Sequence, residues 1–159
     1  MKSVLLFLLF SLTSFSISGQ SLEQSANMNK VYKNTIITSA GLLLFLDKYT
    51  SITFQYERIL AAGKEGLDFG VSLGGGVLYD GQYRYNLIYP RVYWLIGKKS
   101  SKAELAVGGG LLLDLADEQG AVFPAIVIGY RYQKPCQRFL FRVGVALPEG
   151  IYAGIGYRF

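Results

Sequence analysis

From about residue 34 onward, apolar residues recur at every second position, and clusters of turn-forming residues interrupt them every 10–20 residues. Eight such segments can be marked: 35–46, 50–60, 67–79, 83–96, 103–115, 122–132, 139–147 and 151–159. The third is the clearest: Leu67, Phe69, Val71, Leu73, Val77 and Tyr79 alternate with Asp68, Gly70, Ser72, Gly74 and Gly76. The first is apolar on both faces. Period two predicts strands, and about ten residues per strand suits a tilted strand crossing a bilayer. A soluble sandwich would also alternate, but its polar face would carry Lys, Glu and Thr toward bulk water. Here that face is mostly Gly, Ala, Ser and Tyr with isolated charges, which suits a narrow, packed interior. Outside the first twenty residues there is no apolar stripe of helical period.

Eight strands with one apolar face predict an all-β fold, an eight-stranded antiparallel up-and-down transmembrane β-barrel. Closure is required because hydrocarbon offers no partner to the free N–H and C=O groups of an edge strand. Pro135 and Pro148 fall in turns, whereas Pro90 and Pro124 interrupt strands and are expected at bulges or strand ends. An even strand number puts both termini on one side, expected to be periplasmic. The turns on that side are 61–66, 97–102 and 133–138. The outer loops lie near 47–48, 80–82, 116–120 and 148–150, and all of them are short.

The first residues read differently. Met1-Lys2 and the apolar run Val4 to Phe10 lead to small residues at Ser18 and Gly19, the form of a secretory signal peptide over 1–19. Residues 20–33 are polar and unpatterned, a flexible periplasmic extension ahead of a barrel over 34–159. No cysteine follows the leader, so a lipoprotein anchor is excluded; Cys136 is the one cysteine and lies in a turn.

Composition narrows the chemistry. The chain has 159 residues, 51% hydrophobic and 17% charged, with a net charge of +5 and no histidine. No imidazole base, triad or imidazole metal site can be built, and one thiol makes neither a disulfide nor a thiolate zinc site. No metal or organic cofactor is expected. The triplets Gly74–Gly76 and Gly108–Gly110 lack the following Lys-Ser/Thr of a phosphate loop and belong to strand curvature. Basic residues form no nucleic-acid stripe. Lys64, Lys98, Lys99, Lys102, Lys134 and Arg138 fall in the turns on the terminal side, and Asp47, Asp80, Asp117, Glu118 and Glu149 in the outer loops, as solvated residues.

Strand parity sends Glu57, Asp68, Glu104 and Asp114 inward with Arg91, Arg131, Arg142 and Arg158. Charges in a low-dielectric lumen must pair, so a salt-bridged half-lumen that blocks a continuous pore is expected. Tyr49, Tyr56, Tyr79, Tyr83, Trp94, Tyr130, Tyr132 and Tyr157 cluster toward strand ends, where aromatic girdles would sit at the two membrane interfaces.

The final Ile155-Gly156-Tyr157-Arg158-Phe159, with Ile155, Tyr157 and Phe159 on one face, resembles the C-terminal β-signal of bacterial outer-membrane proteins. Over 34–159 the chain resembles the small eight-stranded outer-membrane barrels of the outer-membrane protein A or X type. That resemblance implies a Gram-negative outer-membrane location, outer-membrane lipids as neighbours and recognition of the last strand by the barrel-assembly machinery. A monomer is expected. The loops here are shorter than in adhesive relatives. The absence of catalytic groups together with the packed lumen points to a non-enzymatic structural or accessory protein of the cell envelope. The alternative is passage or binding of small hydrophobic molecules through a lateral opening at Pro90 or Pro124. A lipid-modifying enzyme would lack its histidine and would have to use Ser72 with an Asp or Glu. A secreted ligand-binding barrel would need large apolar residues inside.

Overall fold

A computed structural model describes residues 32–43, 49–63, 66–79, 81, 83–114, 120–134 and 137–159, with Asp114 placed by its backbone alone. The leader at 1–19 and most of the extension at 20–33 lie outside these residues, as do Lys64, Asp47, Asp80, Asp117, Glu118, Pro135 and Cys136. Eight strands follow in order: β1 (Asn34–Leu43), β2 (Tyr49–Ala62), β3 (Leu67–Tyr79), β4 (Arg84–Ile96), β5 (Ser101–Asp114), β6 (Gly120–Tyr132), β7 (Phe139–Leu147) and β8 (Gly150–Arg158). Each pairs antiparallel with its chain neighbours, and β8 pairs with β1 to close the barrel. At the seam Phe159 N–H donates to the Asn34 carbonyl at 2.9 Å and Asn34 N–H to the Phe159 carbonyl at 3.2 Å.

The alternation sorts as the sequence implies. Ile52 and Phe54 of β2 point out, while Ser51, Thr53, Gln55 and Glu57 are buried inside. On β8, Ile151 and Ile155 point out, and Tyr152 and Arg158 point in. The outer face is thus a belt of exposed Ile, Leu, Val and aromatic residues, with Ile155 65% and Phe139 72% exposed. Such a belt is far beyond the apolar patch a soluble monomer tolerates. The inner face is more apolar than the sequence suggests: Ile37, Leu78, Leu87, Leu95, Val127 and Leu140 are buried there. These residues share phase with the inward Tyr, Gly and Arg positions, and Ile37 and Leu140 take up the space beside Gly156.

The wall is uneven. β2–β6 run 13–14 residues, but β1, β7 and β8 only 9–10. Pairing between β6 and β7 stops at Ile126↔Leu147, so the segment 120–125 has no β7 partner. Gln133 N–H donates to the Ser100 carbonyl at 2.8 Å, which sets the ladder phase: odd β6 residues bond to β5 and even ones to β7. Pro124 is even and lies just past the end of β7, where its missing N–H costs no ladder bond. Pro90 does not fall at a bulge or a strand end. It sits inside β4 on the β5-facing phase, and the pairing skips 89–90 against 109–110 without a change of register. The bulge is elsewhere, in β2 between Ile59 and Ala61.

Two adjacent glycines separate the faces. A Cβ on Gly108 would meet the Pro90 carbonyl and the Arg91 Cα, whereas one on Gly109 would find only the Phe123 carbonyl at 3.9 Å. In denaturant titrations of the refolded barrel, Gly108→Ala is expected to lose about 1–3 kcal/mol. Gly109→Ala should change stability by no more than about 0.5 kcal/mol.

Candidate functional site: the charged lumen

Register brings the inward charges of five strands together. Arg131 of β6 and Arg142 of β7 are cross-strand partners, two like charges side by side. Such a pair is unfavourable unless carboxylates reach both. Glu57 from β2 and Glu104 from β5 do so. Arg131 holds Glu57 with both ends of its fork, Nη1 to Oε2 at 2.6 Å and Nη2 to Oε1 at 2.8 Å, and its Nε donates to Glu104 Oε2 at 3.0 Å. Arg142 Nη1 donates to Glu104 Oε1 at 3.1 Å and lies 3.6 Å from Glu57 Oε1. All four side chains are 0–1% exposed. Bidentate geometry of this kind is what a guanidinium offers and an ammonium cannot.

Gln55 links this layer to the next. Its amide donates to Glu57 Oε1 at 2.7 Å, and its carbonyl oxygen accepts from Arg142 Nη1 at 3.3 Å and from Arg91 Nη2. Beyond it stands Glu149, which the sequence placed in a solvated outer loop. The structure corrects this: Glu149 is buried. Its carboxylate accepts from the Tyr89 hydroxyl, with Arg91 Nη1 3.7 Å away and Arg142 Nη2 3.8 Å away. Because β7 and β8 are short, the turn between them lies below the rim and folds inward. The Glu149 carbonyl accepts from Ser51 Oγ at 3.3 Å and occupies the space where a Cβ on Gly41 would be. Gly150, at φ +75°, makes the return.

Three arginines therefore face three glutamates in a neutral cluster. Each guanidinium also lies by a tyrosine ring: Arg91 4.5 Å from Tyr89, Arg142 4.5 Å from Tyr152 and Arg131 5.7 Å from Tyr93. Cation–π contacts are strongest where water is excluded. Glycines make room for the rings, as Gly74 does for Tyr89 and Gly70 for Tyr93. Toward the end of the barrel away from the termini, the lumen turns apolar. Leu78, Leu87, Tyr89 and Ala125 form a cluster joined by Tyr49, Tyr85, Leu112 and Phe123.

The other expected lumen charges do not join this network. Asp68 pairs with Lys102, which the sequence had placed in a solvated turn. Arg158 donates to the carbonyls of Lys134 at 3.5 Å and Gln137 at 3.4 Å, and its guanidinium lies 5.1 Å from the Tyr32 ring. The Asp114 side chain lies outside the described residues. Gln55 was legible by parity but neutral, so charge bookkeeping passed over it. Glu149 carried no signal, since parity has no meaning inside a turn.

Of the expected girdle, Tyr79 and Tyr83 are exposed at the far end, and Tyr130, Tyr132 and Tyr157 at the terminal end. Trp94 packs on Phe69 at 5.7 Å, and Tyr56 donates to Asn34 Oδ1 at 2.9 Å. Tyr49 is a correction: it shares the phase of Ser51 and Thr53, so it turns inward onto the apolar cluster. Ile155, Tyr157 and Phe159 lie on the outer face, exposed. Arg138 donates to the Tyr157 hydroxyl, and bonding to Tyr157 and then Tyr32 raises its pKa further above the ordinary arginine value.

No protein-family model and no curated protein matches the chain. Among solved structures it is similar to the N-terminal β-barrel domain of Pseudomonas aeruginosa OprF, with a TM-score of 0.56 and 12% sequence identity, over 80% of this chain and 98% of that one. The likeness is one of fold: a closed, antiparallel β-barrel.

Removing one partner from a buried ion cluster strands the other. Arg131→Met leaves Glu57 and Glu104 short of their main donor and is expected to cost about 3–5 kcal/mol in equilibrium unfolding of the refolded protein. Exposed Lys98→Met should stay within about 0.5 kcal/mol.

Proposed function

We propose that the chain is an integral outer-membrane barrel with a structural or accessory role in the envelope, and neither an enzyme nor an open pore. The observation that carries this reading is the filled lumen. A neutral Glu–Arg cluster occupies one part, and an apolar cluster of Leu78, Leu87, Tyr89 and Ala125 fills the part beyond it. Such layers offer an ion no wet path. Catalysis finds no support either. The chain has no histidine, the Glu57 and Glu104 carboxylates are bound by arginine forks, and Ser72 Oγ makes no hydrogen bond among the described residues.

Both termini would be periplasmic, and the monomer would sit in outer-membrane lipid, its exposed apolar belt matching hydrocarbon. Ile155, Tyr157 and Phe159 would serve as the assembly signal, being apolar, outward and at the closing seam. A second reading, passage of small hydrophobic molecules through the wall, is favoured by one observation: segment 120–125 of β6 stands without a β7 partner.

Purified, refolded protein in a planar bilayer should give no step-like conductance under applied voltage, while running faster on a gel before boiling than after. Stable single-channel steps from the wild type would refute the closed lumen. The wall-passage reading predicts faster entry of a hydrophobic dye into protein-loaded vesicles than into empty ones, and the closed barrel predicts no difference.

A further inference from the structure

The end of the barrel where β1 begins and β8 ends carries a ring of cations. Lys98 and Lys99 in the β4–β5 turn, Lys134 and Arg138 in the β6–β7 connection and Lys33 ahead of β1 are exposed, and Arg58 is half-buried. The Gln133–Ser100 bond sets the two turns side by side, so Lys98, Lys99 and Lys134 are neighbours. Among the described residues no carboxylate side chain answers them. The acidic side chains among the described residues are Glu57, Asp68, Glu104 and Glu149, and all four are buried and paired inside. Among the described residues, the inward pairing thus leaves the exposed charges of this rim positive.

Its depth is fixed by its neighbours. Lys98 stands two residues past the exposed Ile96, Lys134 two residues past the exposed Tyr132, and Arg138 immediately before the exposed Phe139. Arg138 lies 5.7 Å from the Tyr157 ring while Phe139 meets that ring edge-on at 5.5 Å, so cation and aromatic belt form one unit. Where the belt meets hydrocarbon, these cations stand at the level of the headgroup phosphates. Lysine and arginine held there attract anionic lipid.

We propose that this rim is a docking surface for anionic phospholipid headgroups, with Lys98, Lys99, Lys134 and Arg138 on the phosphate oxygens and Tyr132, Phe139 and Tyr157 against the upper acyl chain. The inference rests on the membrane reading above, and its test separates the two. The full barrel is refolded into vesicles carrying trace spin-labelled phosphatidylglycerol or spin-labelled phosphatidylcholine. The motionally restricted fraction of each is then read by electron spin resonance. The rim predicts at least about a threefold preference for phosphatidylglycerol at low salt. That preference falls toward parity in high salt and in the triple variant Lys98→Gln, Lys99→Gln, Lys134→Gln. Equal restriction of the two lipids at low salt would overturn the rim while leaving the membrane reading intact. No restricted lipid of either kind would sink both. Inorganic phosphate that abolishes the preference where chloride of equal ionic strength does not would assign the site to free phosphate and refute the lipid.

Discussion

Charged groups withdrawn from water must neutralise one another, and this barrel is arranged around that requirement. Glu57, Glu104 and Glu149 meet Arg91, Arg131 and Arg142 within one interior. The six come from β2, β4, β5, β6, β7 and the turn before β8, so only a closed and correctly registered ladder assembles them. A slip of one residue in any strand would turn its charge toward the outer face and strand its partners inside. The ion cluster and the closure of the barrel are therefore one constraint seen from two sides.

The outer surface follows from the same inversion. With the charges folded in, the wall between the rims is left to Ile, Leu, Val and aromatic side chains, which water disfavours and hydrocarbon accepts. Small residues make this possible in a barrel so narrow. Gly70 and Gly74 give way to Tyr93 and Tyr89, whose rings in turn shield Arg131 and Arg91. The low wall at β7 and β8 lets the turn carrying Glu149 enter the lumen, adding the third carboxylate that balances the third arginine.

Much of this could be read from residues alone, because alternation is a local signal. β3 and β7 fall on the expected bounds, and the inward phase of Glu57, Arg91, Glu104, Arg131 and Arg142 follows from counting by twos. What could not be read depends on neighbours that are distant in sequence. Glu149 enters the lumen because β7 and β8 end early relative to β2–β6, a comparison between strands that no single strand contains. Lys102 looks like a turn residue until Asp68 on β3 is placed two strands away. Tyr49 is a girdle residue by position in the chain and a lumen residue by phase, and phase prevails. Pro90 shows the limit of residue rules: its lost ladder bond is absorbed as a local gap in β4–β5 pairing.

A barrel whose apolar face meets lipid while its charges look inward is reported on directly by Trp94. It is the one tryptophan in the sequence, on the outer phase of β4 against Phe69. Refolded protein in vesicles of bromine-labelled phosphatidylcholine should show blue-shifted emission. Bromines near the headgroup should quench it more strongly than those at the acyl-chain ends, because Trp94 stands close to the rim. Emission typical of water-exposed indole, unquenched by any labelled lipid from a protein that stays soluble without detergent, would contradict a lipid-facing apolar belt.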